Sequence, residues 1–403
     1  MAKRIELLSP AGDMERLQMA VAYGADAVYL AGQMYGMRSF AGNFSHDELA
    51  QAVTFCHSHG VRVHVTCNTM PRNHELDALP QYLAYLQELG IDALIIGDIG
   101  VLSLAKKYAP QIPVHASTQA SITNYQTALV WHELGASRVI LARELTLEEI
   151  RGIRAKTPPS LELEAFVHGA MCVSYSGRCV MSNYMTGRDA SRGACAQPCR
   201  YKYALMEEKR PGEFFPVEED ERGTYIFNSK DMCMIDHIPE LLEAGLDSLK
   251  IEGRAKSAYY AAIVTGAYRH AVDAALSGET PEPVWRSELD KVSHRPYSEG
   301  FYYGKPEQYV GDARYIRDWQ VSAIVTSCTP EGLATCSLRN KFRSGETLEL
   351  VGPGIRPVSF VVEDLADGSG FPIEEARTPQ TPLRLTLPCQ APPLSILRKQ
   401  VEK

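Results

Sequence analysis

Eight short apolar segments alternate with longer helical patterns over the first 255 residues, and this alternation restricts the possible folds more than any other feature. Strands that alternate with helices form right-handed βαβ units and therefore a parallel sheet. Eight such strands fit a (β/α)8 barrel of the TIM type, whose usual length is about 250 residues. A doubly wound open sheet is the competing fold, but no G-x-G-x-x-G turn follows the first strand. The predicted strands span 5–11, 27–32, 62–68, 93–98, 113–119, 138–144, 161–169 and 248–254.

The rest of the chain divides into an insertion and a second region. An insertion from about residue 170 to residue 247 separates the seventh strand from the eighth, and such insertions usually lie at the active face of a barrel. The barrel is predicted to end at 277 with a long helix, followed by a Pro- and Gly-containing linker over 278–314. Residues 315–403 alternate apolar and polar positions, which predicts a small antiparallel all-β domain, a β-barrel with a sandwich as the alternative.

Bulk properties exclude some classes of protein. The apolar content of 45% is that of an ordinary globular chain, and neither a signal peptide nor an apolar run of membrane-spanning length is visible. We therefore expect a cytoplasmic protein without a membrane partner. The net charge of −8 argues against a broad basic surface but leaves room for a local nucleic-acid site.

Half of the ten cysteines are crowded into about sixty positions of the insertion: Cys172, Cys179, Cys195, Cys199 and Cys233. In a reducing compartment such cysteines are better explained as metal ligands than as disulfides. Four converging thiolates suit a [4Fe–4S] cluster or a structural zinc ion, and the spacing alone does not distinguish the two metals. Scattered structural cysteines are the alternative.

Polar residues occupy the carboxyl ends of the predicted strands, where the side chains of a barrel point into its active site. Acidic, amide and basic groups around one rim predict a pocket for a polar or anionic molecule. Some of these residues, such as Asp98, are also suited to capping the next helix. The set comprises Ser9, Asn68, Asp98, Ser117, Gln119, Arg143, Glu144, His168, Glu252 and Arg254.

Two local basic patches contain interleaved aromatic residues, and both are candidates for binding a single-stranded RNA loop. Arg200 and Lys202 lie beside the cysteines, while Arg339, Lys341 and Arg343 surround a phenylalanine in a predicted hairpin. A solvated surface is the alternative for either patch. The hydrolase motifs H-E-x-x-H and G-x-S-x-G and the G-x-x-x-x-G-K-[ST] phosphate loop are all missing from the sequence.

The segment EAFVHGAMCVSYSGRCVMS, 164–182, closely resembles the signature E-x-F-x2-G-[SA]-[LIVM]-C-x4-G-x-C-x-[LIVM]-S of the U32 peptidase family. The blocks ELLSPAGD, NFS, RGACAQPCR, NSKDMC and KIEGR also resemble family blocks, so the similarity covers the whole chain. Every defined position is filled: Glu164, Phe166, Gly169, Ala170, Met171, Cys172, Gly177, Cys179, Met181 and Ser182.

Despite the family name, the resemblance implies an oxygen-independent hydroxylase with a [4Fe–4S] cluster and prephenate as the oxygen source. Family members act on the wobble uridine of tRNA, on a cytidine of 23S rRNA or on ubiquinone precursors. A chain of this size looks most like the prephenate-dependent tRNA uridine 5-hydroxylases, with the tRNA anticodon loop as partner. An rRNA or quinone hydroxylase, a zinc-stabilised RNA-binding protein and, last, a peptidase are the alternatives; the sequence leaves a homodimer or a paralogue partner open.

The resemblance also implies residue roles. The cluster ligands carry over as Cys172, Cys179, Cys195 and Cys233, with Cys199 as the cysteine most easily exchanged with Cys195. Basic side chains would bind the prephenate dicarboxylate through charge-assisted hydrogen bonds. The predicted substrate-binding residues are Arg38, Asn68, Ser117, Gln119, Arg143, Lys250 and Arg254, and the candidate catalytic residues are His168, Asp98 and Glu252.

Overall fold

The structure is a computed structural model. It describes residues 5–37, 42–172, 174–179, 181–200, 229–304, 306 and 315–401, together with the main chain of four short strands between 205 and 224. Arg38 and Lys202 lie outside the described residues, as does the side chain of Arg200.

Eight parallel strands form a closed barrel, which confirms the predicted fold class. Each strand pairs with the next along the chain, and the last pairs with both the first and the seventh, closing the ring. Short apolar runs such as AVYL and ALII are wholly buried, as expected for a parallel sheet covered by helices. The strands are β1 (Glu6–Pro10), β2 (Ala27–Leu30), β3 (Arg62–Cys67), β4 (Ala93–Ile96), β5 (Val114–Ala116), β6 (Ala136–Ile140), β7 (Glu162–Ala170) and β13 (Ser248–Ile251).

Helices cover the outside of the barrel and begin where the sequence supplies capping side chains. Ser45 and Thr146 each accept a hydrogen bond from the main chain three residues on, and the glutamate there bonds back to complete a capping box. Gly90 ends its helix in the left-handed conformation. The helices are α1 (Met14–Ala22), α2 (His46–Ser58), α3 (Asn73–Leu76), α4 (Leu79–Leu89), α5 (Ile99–Tyr108), α6 (Tyr125–Glu133), α7 (Leu147–Lys156) and α10 (Ala258–Ser277).

The excursion after β7 adds short elements beside the barrel. Helix α8 (Met181–Thr186) follows the first cysteines, and four two-residue strands, β8 (Leu205–Met206), β9 (Phe214–Phe215), β10 (Glu219–Asp220) and β11 (Gly223–Thr224), come next. Strand β12 (Asp231–Cys233) runs antiparallel to β7, and α9 (Ile238–Glu243) leads to β13. Within the predicted linker lie α11 (Pro283–Glu288) and β14 (Tyr297–Ser298), which pairs with β12.

The C-terminal region is a separate antiparallel all-β unit with its own apolar core, as predicted. Its seven-stranded sheet has the order β19-β18-β23-β15-β16-β22-β20. The exact domain boundaries and the closure of this sheet into a barrel stay predictions. The strands are β15 (Trp319–Cys328), β16 (Leu333–Leu338), β17 (Phe342–Arg343), β18 (Thr347–Gly352), β19 (Ile355–Val361), β20 (Ala366–Asp367), β21 (Glu375–Ala376), β22 (Pro382–Thr386) and β23 (Ile396–Gln400).

Buried polar contacts join this β unit to the barrel. The Tyr23 hydroxyl donates to the carbonyl oxygens of Val351 and Leu394, and the buried Arg398 guanidinium pairs with Glu288. Among the described residues, no helix is long and apolar enough to cross a membrane.

Candidate active site

A cavity opens at the carboxyl ends of the barrel strands, and we call it the barrel-mouth cavity. Apolar side chains from the strands, including Tyr29, Ile95, Ile140 and Phe166, form part of its wall. Its polar wall contains almost every substrate-binding residue predicted from the sequence: Asn68, Ser117, Gln119, Arg143, Lys250 and Arg254, together with the candidate catalytic residue Glu252. The combination of cations and an apolar wall suits an organic anion.

Arg143 is held rigidly at one side of this cavity. One guanidinium nitrogen donates to the carbonyl oxygen of Ala170 over 2.8 Å, and another lies 3.6 Å from a carboxylate oxygen of Glu252. The guanidinium carbon lies 3.9 Å from the centre of the Phe166 ring, a stacking contact that lysine would not reproduce. Arg143 is therefore pre-organised to donate to a ligand carboxylate.

Two further cations line the same cavity. Lys250 is buried, its ammonium lies 2.8 Å from Glu164 and 4.4 Å from the centre of the Tyr29 ring, and Arg254 donates to Thr66 over 3.2 Å. Burial lowers the pKa of Lys250 below its usual value, and the carboxylate of Glu164 opposes this shift. The Lys250 amine at this cavity therefore releases its proton more readily than a lysine in water.

Charged groups fill the barrel below Lys250. Arg138 pairs with Glu6, Glu162 and Glu164, and Glu164 in turn pairs with Lys250. Burial alone raises the pKa of Glu164, but Lys250 and Arg138 reverse this and keep it below the usual value. We call these paired groups, Glu6, Arg138, Glu164 and Lys250, the buried charged column. Its pairings keep the carboxylate of Glu164 ionised and hold the ammonium of Lys250 in place.

A second cavity, which we call the cysteine cavity, lies beside the first. Cys172, Cys179 and Cys195 all line it. The two cavities share four wall residues, so they adjoin at the barrel mouth: Met37, Thr118, Gln119 and Arg143.

The turn between the first two cysteines is anchored to the barrel. The main-chain nitrogen of Ser176 donates to Glu144 over 2.8 Å, and its hydroxyl contacts the same carboxylate. Gly177 has φ +71°, and a Cβ at this position would lie 2.2 Å from the carbonyl oxygen of Gln119. Only glycine combines that conformation with so close an approach, so this turn is fixed over the ends of β5 and β6.

The predicted cluster ligands are brought together only in part. Three line the cysteine cavity, but Cys233 is buried on β12, with its sulfur 3.9 Å from the Tyr268 hydroxyl. Burial raises the pKa of the Cys233 thiol, which opposes thiolate formation there. Among the described residues, no three His, Cys, Asp or Glu side chains converge closely enough to hold a metal ion. Three of the four predicted ligands therefore bring thiol donors to one cavity, and Cys233 lies apart from them in this arrangement.

Two candidate catalytic residues lie away from the cavity walls. Asp98 caps α5 by accepting a hydrogen bond from the main-chain nitrogen of Val101, a structural role that the sequence had left as an alternative. His168 is paired with Ile251 beyond a register shift in β7, and it contacts Tyr260 and Tyr268 of α10. It therefore faces outward, and burial lowers its pKa to about 3, which keeps the imidazole neutral.

The basic patch of the β unit is partly neutralised. Arg339 pairs with Glu15 of α1 over 2.6 Å, and Arg343 pairs with Glu375 over 3.1 Å. Lys341 is exposed and lines a groove together with Arg343. Because two of the three cations already face carboxylates within the chain, this patch offers less charge to RNA than the sequence indicates.

Some residues of the two cavities were missed by sequence reasoning. Tyr29 and Phe166 occupy mid-strand positions and were not among the predicted site residues, although alternation along each strand points them into the barrel. Tyr175 lies between the two signature cysteines and lines the cysteine cavity. The sequence signal that could have identified Tyr175 as a site residue is its position as an aromatic residue within a polar turn.

With this geometry in place, comparison with known proteins defines the class. The chain matches the model of peptidase family U32 over residues 12–312 and the model of the peptidase family U32 C-terminal domain over residues 317–398. It therefore belongs to peptidase family U32.

Individual relatives are named for RNA modification. The chain is 37% identical over 404 residues to "tRNA hydroxylation protein P1" of Bacillus subtilis, covering 98% of this chain and 95% of that protein. It is also 37% identical to "tRNA hydroxylation protein P" of Escherichia coli, covering 91% of each chain. The "23S rRNA 5-hydroxycytidine C2501 synthase" of Escherichia coli is 37% identical over 74% of this chain and 45% of that protein.

Proposed function

We propose that this protein hydroxylates RNA, and specifically the wobble uridine of tRNA at C5, without O2 and with prephenate as the oxygen source. The names of the relatives support the hydroxylation of RNA. The observation that carries the finer proposal is the shared wall of the two cavities. A dicarboxylate bound by Arg143 and Arg254 would lie beside the cavity that contains the cysteines.

The residues of the barrel mouth account for binding and orientation. Arg143 and Arg254 would hold the two carboxylates, and the apolar wall at Phe166 would contact the six-membered ring of prephenate. Lys250, fixed by Glu164, and Glu252 also line this cavity and would hold or move a proton there.

We also propose a [4Fe–4S] cluster as the cofactor, supplying electron transfer when bound. Support comes from the donor chemistry of Cys172, Cys179 and Cys195 at one cavity. Cys233, the fourth ligand implied by the family resemblance, would have to leave its contact with Tyr268 to join them. Anaerobic purification tests the cofactor, because a brown protein with about four irons per chain is expected, whereas a colourless protein with stoichiometric zinc contradicts it.

Nucleoside mass spectrometry tests the function in cells. In a strain that lacks this gene and its paralogues, wobble nucleosides derived from 5-hydroxyuridine should disappear and should return with the wild-type gene. The Arg143→Ala gene should not restore these nucleosides. Unchanged wobble nucleosides in the deletion strain contradict the proposal, and loss of a hydroxycytidine from rRNA instead supports the rRNA alternative that the third relative suggests. A cytoplasmic location stays a prediction.

A further inference from the structure

An aromatic side chain stands exposed at the entrance to the cysteine cavity. Tyr175 lines this cavity together with Cys172 and Cys179, yet 64% of its surface is accessible to solvent. Among the described residues its ring stacks on no other ring and carries no cation, in contrast to Phe166 beneath Arg143. A large exposed aromatic group at the entrance to a site is a common feature of binding surfaces.

The main chain of the turn that carries this ring is anchored to the barrel. Ser176, its neighbour, is bonded to Glu144 through both its main-chain nitrogen and its hydroxyl, and the Arg178 nitrogen donates to the carbonyl oxygen of Tyr175 over 3.0 Å. Gly177 packs directly against the main chain of Gln119. A ring on such an anchored turn costs little entropy to fix when a ligand stacks on it.

The charge around this turn complements a nucleic acid. Residues 172–200 contain Arg178, Arg188, Arg192 and Arg200 against one acid, Asp189, in a protein whose net charge is −8. Arg192 is paired with Glu75 through both guanidinium nitrogens, whereas Arg178 and Arg188 are exposed. Exposed cations and an exposed aromatic ring on one segment are a combination by which proteins bind unpaired nucleotides, since the cations contact phosphates and the ring stacks on the base.

We propose that Tyr175 stacks on the target uracil of an unpaired RNA loop and thereby positions this base over the cysteine cavity. This inference rests on the proposed function and names the residue that orients its macromolecular substrate. Tyr175 is a positioning residue for the base, whereas the small anion is bound separately by the barrel-mouth cavity.

Binding of two synthetic hairpin RNAs to the anaerobically purified full chain tests the inference. One hairpin carries an unpaired uridine at the modified position of its loop, and the other carries an abasic residue there. Tyr175→Ala should weaken binding of the uridine hairpin roughly 5- to 150-fold, the range that stacking on one base provides. Tyr175→Phe should bind like wild type. The abasic hairpin should bind equally to wild type and Tyr175→Ala, because no base remains to stack.

The controls separate this inference from general damage and from the proposed function. Tyr175→Leu keeps the bulk without the ring and should repeat the loss, and Phe371→Ala, which removes an exposed aromatic ring of the β unit, should bind like wild type. Equal binding of the uridine hairpin by wild type and Tyr175→Ala overturns the inference, as does an equal loss for both hairpins. If wild type fails to hydroxylate RNA, the proposed function fails; if wild type hydroxylates RNA and Tyr175→Ala matches it, only the inference fails.

Discussion

At the scale of single residues, the buried charges under the active site are unusual for a barrel interior. Layers of branched apolar side chains normally fill this space, whereas here Arg138, Glu6, Glu164 and Lys250 are buried and mutually paired. Buried ion pairs contribute little net stability, but removing one partner leaves an uncompensated charge. The column is therefore best explained by the position and charge that it gives to Lys250.

Two glutamates on the same arginine provide a matched test of this column. Glu164→Gln should lower the free energy of unfolding by about 3–5 kcal/mol, because it leaves Lys250 and Arg138 buried with one carboxylate fewer. Glu162→Gln removes the half-exposed partner of Arg138 and should cost under about 1 kcal/mol. Urea unfolding measures both. Equal small losses would show that the buried column is dispensable for stability.

Buried histidines in the barrel interior make stability depend on pH. Burial lowers the pKa of His64 to about 4 and that of His115 well below its usual value, whereas unfolded histidine titrates near 6.5. As the pH falls below about 6.5, the unfolded chain binds protons that the folded chain does not, so stability decreases from there down to about 4. Melting temperatures at intermediate pH values measure this decrease.

A pair of histidine variants identifies the source of this pH dependence. His64→Gln and His115→Gln should each flatten part of the decrease, because each removes one imidazole whose pKa is lowered by burial. A His64→Gln protein with the wild-type pH dependence would contradict the assignment.

At the scale of elements, two local irregularities determine what faces the active site. The register shift in β7 turns His168 outward, and the left-handed Gly177 brings the cysteine turn against the main chain of Gln119. Periodic patterns in the sequence do not reveal a bulge, which explains why His168 was predicted at the mouth. Strand ends are visible as apolar runs that stop at polar residues, which explains why Asn68, Arg143 and Arg254, predicted at a pocket, line the barrel-mouth cavity, while their role in substrate binding stays a prediction.

Substitutions of two glycines with similar backbone conformations distinguish the effect of backbone strain from the effect of a steric clash. Gly177→Ala should displace the cysteine turn, because the new Cβ would lie 2.2 Å from a carbonyl oxygen in addition to the strain of roughly 1–3 kcal/mol at this φ. We expect a marked loss of bound iron and of RNA hydroxylation. Gly187 has φ +69°, but a Cβ at this position would have no neighbouring atom within 4 Å. Bound iron and RNA hydroxylation should therefore stay near wild type in Gly187→Ala. Equal behaviour of the two variants would argue against an anchored turn.

At the scale of the whole molecule, the β unit is joined to the barrel by contacts between residues far apart in the chain. Arg398 of β23 pairs with Glu288 of α11 and with Glu349, and Arg339 pairs with Glu15. The barrel and the all-β unit were both predictable from periodicity, but these ion pairs were not, since nothing in the sequence links residues 324 positions apart. For the same reason, the sequence does not reveal that Arg339 and Arg343 of the basic patch are paired with carboxylates.

Loss of the buried contact should uncouple the two units. Arg398→Met leaves Glu288 with Lys291 as its remaining ion-pair partner among the described residues, and we expect a loss of about 3–5 kcal/mol. Calorimetry should then show two separate unfolding transitions in place of one. Arg356→Ala removes an exposed pair with Glu282 and should leave a single transition. A single transition in both variants would contradict this coupling.

The central claim is that the barrel-mouth cavity binds prephenate beside the site at which RNA is hydroxylated. The most direct test incubates the anaerobically purified protein with unmodified tRNA, an artificial two-electron acceptor and prephenate whose ring hydroxyl carries oxygen-18, followed by nucleoside mass spectrometry. The account predicts labelled 5-hydroxyuridine with the wild-type protein and none with Arg143→Ala or Arg254→Ala. Hydroxylation that proceeds without prephenate, or a product that carries unlabelled oxygen, would contradict it.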